Sequence, residues 1–288
     1  MAGCSVGRVG FGAMQLAELR EQKAPDRDTA VAVLRRAVEL GADHIDTADF
    51  YGDGVANELI RAALHPYPDD LVLVSKVGAE HDDEKGLVSA QRPEQLRAGV
   101  ESNLRRLGVE RLAVVNLRRL DSGVSVEATG DQRVDMDDQL AELVALRDEG
   151  KIDGVGLSNV GLEQLRHALP AGIVCVQNLY NLLDRSGEAL LDECGKHDIA
   201  WVPFFPLGSA FAGIPKVTDE PAVIAAATAL GATPAQIGLA WLLAHDPNVL
   251  LIPGTANVDH LAENMAAADI QLDAETMSTL DALASPSA

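Results

Sequence analysis

The sequence predicts a (β/α)8 barrel, also called a TIM barrel, in which residues 1–288 form a single α/β domain. Short apolar runs alternate with segments of helical periodicity, which is typical of parallel strands joined by helices. The chain has 288 residues, 47% of them apolar, and such a barrel needs roughly 250. No serine- and glycine-rich linker divides it into halves. A doubly wound open sheet is the alternative, but the Gly-x-Gly-x-x-Gly turn expected of that fold does not follow the first apolar run.

Eight apolar runs are the candidate strands. Most are nearly continuous in valine, isoleucine and leucine, as strands covered on both faces should be. We expect strands at residues 9–14, 44–48, 71–77, 112–117, 154–157, 173–177, 200–205 and 249–252.

The segments between these runs predict helices. Val31, Leu34 and Val38 lie on one face of residues 27–40, and Gly41 is a typical C-terminal stop. Pro93 opens a helix whose Leu96, Val100 and Leu107 repeat at helical spacing before Gly108. Further helices are expected at residues 137–149, 162–169, 187–196, 221–230 and 233–244, and one that carries residues 260–264.

Two connections are longer than average, at residues 81–92 after the third strand and 121–137 after the fourth. Loops at the carboxyl ends of barrel strands carry function in this architecture. The second connection is rich in Asp, Gly, Ser and Thr. A loop of that length is either a lid or a disordered insert, and we favour a loop that covers the substrate.

The charge and the cysteines restrict the partners and the compartment. A formal net charge of -21 repels nucleic acid and anionic membranes, so neither is an expected partner. The residues around Met1–Gly12 do not resemble a signal peptide, and no apolar run approaches the roughly 20 residues of a membrane span. Cys4, Cys175 and Cys194 have no metal-ligand spacing, and no metal site is expected. We expect a cytoplasmic monomer.

Three reactive side chains lie at or just past the ends of predicted strands. Asp46 ends the second strand, Tyr51 follows it before a Gly-Asp-Gly turn, and Lys76 ends the third. Each has an ordinary interpretation: a helix cap for Asp46, packing for Tyr51, and a snorkelling strand-end lysine for Lys76. Because barrel strands deliver such residues to one rim, the three together predict a catalytic site.

Four motifs give the chain a resemblance to the aldo-keto reductases along essentially its whole length. Residues 10–14 (GFGAM) look like the first strand of that family, and 46–52 (DTADFYG) look like its first signature. Residues 104–108 (LRRLG) resemble the second signature, and 252–255 (IPGT) with 263–264 (EN) resemble the third. The resemblance implies a nicotinamide-dependent reductase of aldehydes or ketones, with Asp46, Tyr51 and Lys76 in three of its four catalytic positions.

The chemistry of these residues is consistent with that role. A carbonyl that receives hydride develops negative charge on its oxygen, and a phenol can donate a proton to it. A phenol holds its proton tightly at neutral pH, whereas a neighbouring ammonium eases its release. We therefore expect Tyr51 to be the acid in reduction, Lys76 to tune it, and Asp46 to hold Lys76.

The fourth position departs from the family pattern, because Arg118 aligns with the usual histidine. Arginine cannot relay a proton, but it can donate hydrogen bonds to an oxyanion. Two alternatives remain open: Arg118 is an ion-pair partner only, or it binds a substrate carboxylate or phosphate. Some bacterial members with a similar sequence also carry Asn-Leu-Arg here, and that similarity suggests pyridoxal as a substrate.

The cofactor is expected to be NADPH, since the resemblance implies it and Thr255 precedes a helix N-terminus. NADH is the second choice, because Gly254 and His260 stand where many relatives have Lys and Arg. Phe204 matches a ring that stacks on nicotinamide, Ser158, Asn159 and Gln177 could bind its carboxamide, and Thr255 with a helix N-terminus could bind a 2′-phosphate. The resemblance implies a cofactor site formed by Gly12, Ala13, Met14, Asp46, Ser158, Asn159, Gln177, Phe204, Phe205, Pro206, Leu207, Ser209, Gly254, Thr255, His260, Glu263 and Asn264.

Two other functions compete with reduction of a small-molecule carbonyl compound. A low-turnover protein that binds nicotinamide and senses its redox state would fit the arginine at the fourth position. A Schiff-base aldolase would use Lys76 as its nucleophile.

Overall fold

The computed structural model describes residues 3, 5–17, 23–82, 84–121, 126–208 and 214–283. Seven parallel strands form one sheet in the order β1-β2-β3-β6-β7-β8-β9. Two further strands, β4 and β5, form a separate antiparallel hairpin. The strands are β1 (Phe11–Gly12), β2 (His44–Asp46), β3 (Val72–Val77), β4 (Ala79–Asp82), β5 (Gly86–Ser89), β6 (Leu112–Arg118), β7 (Ile152–Ser158), β8 (Ile173–Gln177) and β9 (Ala200–Trp201).

Residues 249–251 close the sheet into a barrel. On one side the backbone N–H of Leu250 donates to the carbonyl of Trp201 at 2.8 Å, and on the other Leu251 donates to Arg8 at 2.8 Å. Parallel bridges join Trp201 to Val249 and Val9 to Leu251. This segment therefore takes the place of the eighth strand, and the predicted parallel barrel is confirmed over the open sheet.

Ten α-helices surround or extend the barrel in the described residues. They are α1 (Arg27–Glu39), α2 (Val55–Leu64), α3 (Pro93–Leu107), α4 (Met136–Asp148), α5 (Leu162–Ala168), α6 (Glu188–Lys196), α7 (Pro221–Leu230), α8 (Pro234–His245), α9 (Val258–Ala266) and α10 (Ala274–Asp281). Helix α3 begins at proline and ends before the left-handed Gly108, and Thr233 caps α8, as expected. Helices α2 and α10 were not among the predicted helices.

The first and seventh predicted strands extend further than the observed strands. The first strand stops at Gly12, because Ala13–Leu16 form a turn of 3-10 helix, and the seventh stops at Trp201. The long connection after β3 contains the hairpin β4–β5, where Asp82 accepts backbone hydrogen bonds from Glu84 and Lys85 at 3.0 and 2.8 Å. Its strands are short and polar, so apolar periodicity could not reveal them.

Among the described residues, no single helix has both the length and the apolar composition of a membrane span. Only α7 and α8 together, with a 94° bend where they meet, satisfy that criterion, and it concerns length and composition alone.

Candidate active site

Polar side chains replace apolar ones where the barrel strands end. Lower in the lumen, Val72 and Val74 of β3 cluster with Val114, Cys175 and Val202. Side chains alternate between the two faces of a strand, so residues two or four positions further along also face the lumen. At those positions the strands carry Lys76, Asn116, Arg118 and Gln177, and β2 and β7 end likewise on Asp46 and Ser158. The barrel thus presents charged and amide groups at its carboxyl rim.

Lys76 donates hydrogen bonds to two acceptors and lies beside the ring of Tyr51. Its ammonium forms a short ion pair with Oδ1 of Asp46 and donates to the carbonyl oxygen of Thr47 at 3.0 Å. Its Nζ lies 5.1 Å from the centroid of the Tyr51 ring, and the two side chains interact electrostatically. Gln177 donates from Nε2 to Oδ2 of Asp46 at 2.6 Å. Asp46 and Lys76 are 3% and 5% exposed, so solvent screens this pair little.

The pKa of Lys76 is raised despite its burial. Desolvation is the largest influence and acts to lower the pKa, but the charge of Asp46, the electrostatic interaction with Tyr51 and the hydrogen bond to Asp46 outweigh it. Lys76 is therefore a protonated ammonium held in a fixed position. The three residues that the sequence predicted at separate strand ends lie together.

Tyr51 is held by the turn between β2 and α2. Its backbone N–H donates to Ala48 at 3.1 Å, and its carbonyl accepts from Ala56 at 3.4 Å. Phe50 packs edge-on against its ring, with 5.2 Å between the ring centroids. The side chain is 8% exposed, so packing fixes the ring beside Lys76.

A buried polar network supports the Lys76 side of the site from behind. Oδ1 of Asn103 accepts from Ser75 Oγ at 2.5 Å and from Asn57 Nδ2 at 2.8 Å, and Asn57 Oδ1 accepts from Thr47 Oγ1 at 2.8 Å. Asn103, Asn57, Ser75 and Thr47 are each 0% exposed. The network joins α2 and α3 to Ser75 and to Thr47. Ser75 precedes Lys76 in β3, and the carbonyl oxygen of Thr47 accepts a hydrogen bond from the Lys76 ammonium.

Sequence analysis did not identify this network, although one signal was present. Asn103 lies on the buried stripe that Leu96, Val100 and Leu107 define on α3. A buried polar residue within an apolar stripe requires hydrogen-bond partners, so Asn103 was a candidate for a positioning role. The partners Asn57 and Ser75 are distant in sequence and show no such pattern.

Arg118 reaches the same region from the end of β6. Its guanidinium carbon lies 5.7 Å from the centroid of the Phe204 ring. Burial lowers the pKa of Arg118, and electrostatic attraction to Tyr51 partly opposes that effect. The fourth predicted catalytic residue therefore lies within electrostatic reach of the phenol and beside the aromatic ring predicted to stack on nicotinamide.

Gln91 links the ends of β3 and β6, the strands that carry Lys76 and Arg118. Its Nε2 donates to the carbonyl oxygens of Gly78, just past β3, at 2.5 Å and of Arg118, at the end of β6, at 2.8 Å. Gln91 is 1% exposed. It was not among the predicted residues, since it lies in the connection after β3 and matches no motif.

Arg119 has a different role from its neighbour Arg118. It donates to Oδ2 of Asp121 from Nε and Nη2, at 2.9 and 2.6 Å, to the carbonyl of Val134 at 3.2 Å, and to Oε1 of Gln139. Asp121 and Val134 lie near opposite ends of the long connection after β6. Arg119 therefore fastens both ends of the predicted substrate loop to the barrel.

Two polar atoms lie in positions suited to an amide ligand. Among the described residues, Ser158 Oγ and Gln177 Oε1 are buried and have no hydrogen-bond partner. Asn159 adopts a left-handed backbone with φ 59°, and its Nδ2 donates to the carbonyl of Arg119 at 2.8 Å. Buried polar atoms without partners are rare in folded proteins, and a hydroxyl and an amide oxygen together match the donor and acceptor of a carboxamide.

The segment after β9 carries the next group of predicted contacts. Phe204 bridges to Leu179 and packs edge-on against Phe205. Phe205 has a positive φ of 54°, and a Cβ at Gly208 would overlap the carbonyl oxygen of Pro215. Pro206 and Leu207 complete this tight turn, whereas Ser209 lies outside the described residues, as does Cys4.

The last predicted cluster follows the closing segment. Gly254 lies so close to Gly12 that a Cβ would overlap the Gly12 carbonyl oxygen, which places residues 12–14 beside it. Thr255 Oγ1 accepts from the backbone of Asn257 at 3.0 Å. His260 is exposed, Glu263 half-buried and Asn264 buried on α9.

The start of α9 bears on one expectation at this cluster. The N–H groups that begin α9 were expected to help Thr255 bind a 2′-phosphate, and the Asn257 side chain engages two of them. It accepts from the backbone of Asp259 at 2.7 Å and of His260 at 3.2 Å. A capping Asn satisfies part of the unpaired N–H groups of a helix start, so fewer of them remain for a phosphate.

Comparison with known proteins identifies the family. The profile of the Aldo/keto reductase family matches residues 8–285. Pyridoxine 4-dehydrogenase of Escherichia coli is 45% identical over 97% of this chain and 95% of its own length. Two crystal structures of an aldo/keto reductase from Klebsiella pneumoniae, one with NADP and acetate and one with NADPH, each have 31% sequence identity to this chain. Both superpose with a TM-score of 0.79 over 96% of this chain and 91% of theirs. The chain belongs to the aldo/keto reductase family and is an oxidoreductase, as the sequence motifs predicted.

Proposed function

We propose that this protein is an NADPH-dependent reductase that interconverts an aldehyde and its primary alcohol, and that pyridoxal and pyridoxine are such a pair. The arrangement of Lys76 between Asp46, Thr47 and Tyr51 carries the proposal, because it supplies a proton donor for a carbonyl oxygen. The name of the E. coli relative states that it oxidises pyridoxine at position 4. The reverse of that oxidation is reduction of the 4-aldehyde.

Tyr51 donates the proton in the direction of reduction. A reduced nicotinamide bound at this site would supply the hydride for the carbonyl carbon, and the electron pair of the C=O π bond would move to the oxygen. That oxygen takes the hydroxyl proton of Tyr51, giving the alcohol. The phenolate that remains is stabilised by the ammonium of Lys76, which Asp46 holds in place.

Arg118 supports the same step without exchanging a proton. A guanidinium stays protonated at neutral pH even where burial lowers its pKa, so it acts as a fixed positive charge and donor. Its position near Tyr51 and Phe204 directs that charge at the region where the carbonyl oxygen becomes negative. This differs from a histidine, which can be neutral.

The residues present fit a nicotinamide. Ser158 Oγ and Gln177 Oε1 would hold the carboxamide, since these buried atoms have no partner within the described part of the chain. Phe204 would stack on the ring, and the turn at Phe205–Gly208 would follow the pyrophosphate. Thr255 and the exposed His260 would face the adenosine phosphate, with Glu263 and Asn264 at the adenine. NADPH is favoured because structural relatives hold NADP and NADPH, and NADH is the second choice.

The competing functions have less support. A Schiff-base aldolase needs a neutral amine, whereas the pKa of Lys76 is raised and its donors are engaged. Borohydride trapping of an aldehyde on Lys76 would revive that alternative. A redox sensor with little turnover would not require the complete set of Asp46, Tyr51 and Lys76. Binding of NADPH without its oxidation, across a broad aldehyde panel, would favour the sensor.

Two measurements test the proposal. The protein is titrated with NADPH and with NADH, and its tryptophan fluorescence reports the affinity for each cofactor. The two affinities give the cofactor preference. Oxidation of NADPH by pyridoxal, followed at the absorbance of the reduced cofactor, then gives the activity. We expect Tyr51→Phe to lower kcat by roughly 100-fold or more with little change in cofactor affinity, since only the reacting hydroxyl is lost.

The control for that variant is Tyr67→Phe, which removes a phenol hydroxyl that donates to the carbonyl of Leu107 at 2.6 Å, outside the site. Wild-type turnover in Tyr51→Phe would contradict the assignment of the acid. Absence of NADPH oxidation with pyridoxal and the whole panel would contradict the proposed function.

A single domain over residues 1–288, a monomeric state, a cytoplasmic location and the lack of nucleic-acid or membrane partners stay predictions. Sedimentation analysis tests the oligomeric state, and fractionation of the cell of origin tests the location.

A further inference from the structure

We propose that Arg106 is a positioning residue, which holds the turn at residues 49–54 so that the Tyr51 phenol stays beside Lys76. The inference rests on the proposed function, because it concerns the proton donor of that reaction. It also gives a role to residues 104–108, which resemble a family signature but lie at the end of α3 rather than at a strand end.

The contacts of Arg106 carry the inference, because they fall on both sides of Tyr51 along the chain. Nε of Arg106 lies 3.4 Å from Oδ1 of Asp49, two residues before the phenol. Two residues after the phenol, Asp53 accepts twice from the same guanidinium: its carbonyl oxygen from Nη1, and its Oδ1 from Nη2 at 3.1 Å. Nη1 also lies 3.6 Å from Oε1 of Glu58 in the first turn of α2. One planar fork therefore links both halves of the turn.

The backbone of this turn needs support from outside. Gly52, Asp53 and Gly54 have positive φ values of 60°, 51° and 81°, and a residue with a Cβ seldom adopts that conformation. Such a backbone persists where its surroundings hold it. Arg106 is one such support, and a Cβ at Gly54 would overlap its guanidinium. The close approach of the guanidinium to the turn therefore requires glycine at this position.

The charges of this contact are partly removed from water. The side chains of Arg106 and Asp49 are 28% and 22% exposed, so their attraction is screened less than that of a fully exposed pair. Burial raises the pKa of Asp49, and the charge of Arg106 is among the influences that oppose it. Oδ1 of Asp49 also accepts from Nδ2 of Asn57 at 3.3 Å. Asp49 thus lies between Arg106 and the buried network that supports Lys76.

Helix α3 contacts the supports of both members of the proton-donating pair. Asn103 accepts at 2.5 Å from Ser75, which precedes Lys76 in β3, and Arg106 lies three residues further along the helix. Residues at that spacing lie on the same side of a helix. One side of α3 thereby holds the ammonium through Asn103 and the phenol through Arg106. A small displacement of either group lowers the rate, because proton transfer requires hydrogen-bond distance.

Arg106→Ala and Arg105→Ala form a matched pair, since each removes one arginine from adjacent positions of α3, and Arg105 is exposed. We expect Arg106→Ala to lower kcat for aldehyde reduction about tenfold, with little change in the aldehyde KM or in NADPH affinity. Arg105→Ala should keep kcat within about twofold of the wild type. Arg106→Lys keeps the charge but not the fork, so its kcat should lie between those of the wild type and Arg106→Ala.

A measurement that needs no turnover reports on the turn directly. The backbone N–H groups of Tyr51, Val55 and Ala56 donate to carbonyl oxygens in or next to the turn, and hydrogen exchange followed by mass spectrometry gives their protection. We expect their exchange to be several-fold faster in Arg106→Ala than in the wild type or in Arg105→Ala. Exchange in the barrel strands should be the same in all three proteins.

Wild-type kcat in a folded Arg106→Ala would overturn the inference, as would an equal loss in Arg105→Ala or unchanged exchange at residues 49–58. If Arg106→Ala does not fold, Arg106→Lys decides: a lower kcat with the wild-type KM supports the inference, and wild-type kcat contradicts it. Failure of the proposed function is a separate outcome, because the wild-type enzyme would then oxidise no NADPH with any aldehyde, whereas the exchange measurement would still test the hold on the turn.

Discussion

Replacing Asp46 with asparagine removes the negative charge that faces Lys76 while it nearly preserves the shape of the side chain. In the native protein, burial acts to lower the pKa of Lys76, and the charge of Asp46 is the largest of the influences that reverse it. Without that charge, desolvation prevails, and we expect the pKa of Lys76 to fall below its value in the unfolded chain. The buried ammonium then has no negatively charged partner.

The expected loss of stability is large. Breaking a buried ion pair by removing one partner costs about 3–5 kcal/mol. A chain of this size loses roughly 2–4 °C in melting temperature per kcal/mol, so the melting temperature should fall by about 10 °C at neutral pH. We also expect the rate of aldehyde reduction to fall by roughly 100-fold, because Asp46 no longer holds the Lys76 ammonium beside the Tyr51 phenol.

The pH dependence of stability has opposite signs in the two proteins. In the wild type, the pKa of Lys76 is higher in the folded than in the unfolded state. Its contribution to stability is complete below the unfolded pKa and is lost as the pH rises through the folded pKa. In Asp46→Asn, the pKa of Lys76 is expected to be lower in the folded than in the unfolded state. The unfolded state then binds more protons between the two values, and stability rises with pH over that window.

The assay is thermal unfolding of both proteins from neutral to alkaline pH, followed by circular dichroism. Groups away from the site titrate alike in the two proteins, so the difference between the melting temperatures reports titration at Lys76 and its immediate neighbours. That difference should shrink as the pH rises. Asp43→Asn is the matched control, because Asp43 lies before the opposite end of the same strand and accepts from the backbone of Gly7 at 2.7 Å. A difference that stays constant with pH, or catalysis lost equally in the control, would refute the reasoning.

Two further variants test residues that support the site. Asn103→Ala removes the acceptor of the Ser75 hydroxyl and the Asn57 amide. We expect each lost hydrogen bond to lower the free energy of unfolding by about 1–3 kcal/mol, and kcat to fall about tenfold. Chemical denaturation and steady-state kinetics would check this, and an unchanged kcat despite lower stability would mean that the network serves the fold alone. Arg119→Ala releases Asp121 and the far end of the loop, and we expect KM for the aldehyde to rise several-fold with less change in kcat. An unchanged aldehyde KM would separate this loop from substrate binding.

The structure agrees with the sequence most closely where the signal was periodic. The barrel, most of its helices and the motifs at the strand ends were all predictable, since apolar periodicity and capping residues act within a few neighbours along the chain. The hairpin at Ala79–Ser89 was not predicted, because its strands are short, polar and stabilised by each other. Helix α2 was also missed between the signature at residues 46–52 and the third strand.

Sequence alone determined the side chains that carry the chemistry: an acid, a phenol, an amine and an arginine in place of histidine, each at or near a strand end. Only the tertiary structure decided how they act. It showed that the pKa of Lys76 is raised because Asp46 and Tyr51 together outweigh burial. It also showed that Arg118 lies beside the Phe204 ring whereas Arg119 fastens a loop. It also showed that Asn103 and Gln91 support the site. These outcomes depend on distances between residues far apart in the chain, and the free energies of charges and hydrogen bonds depend on those distances and on burial.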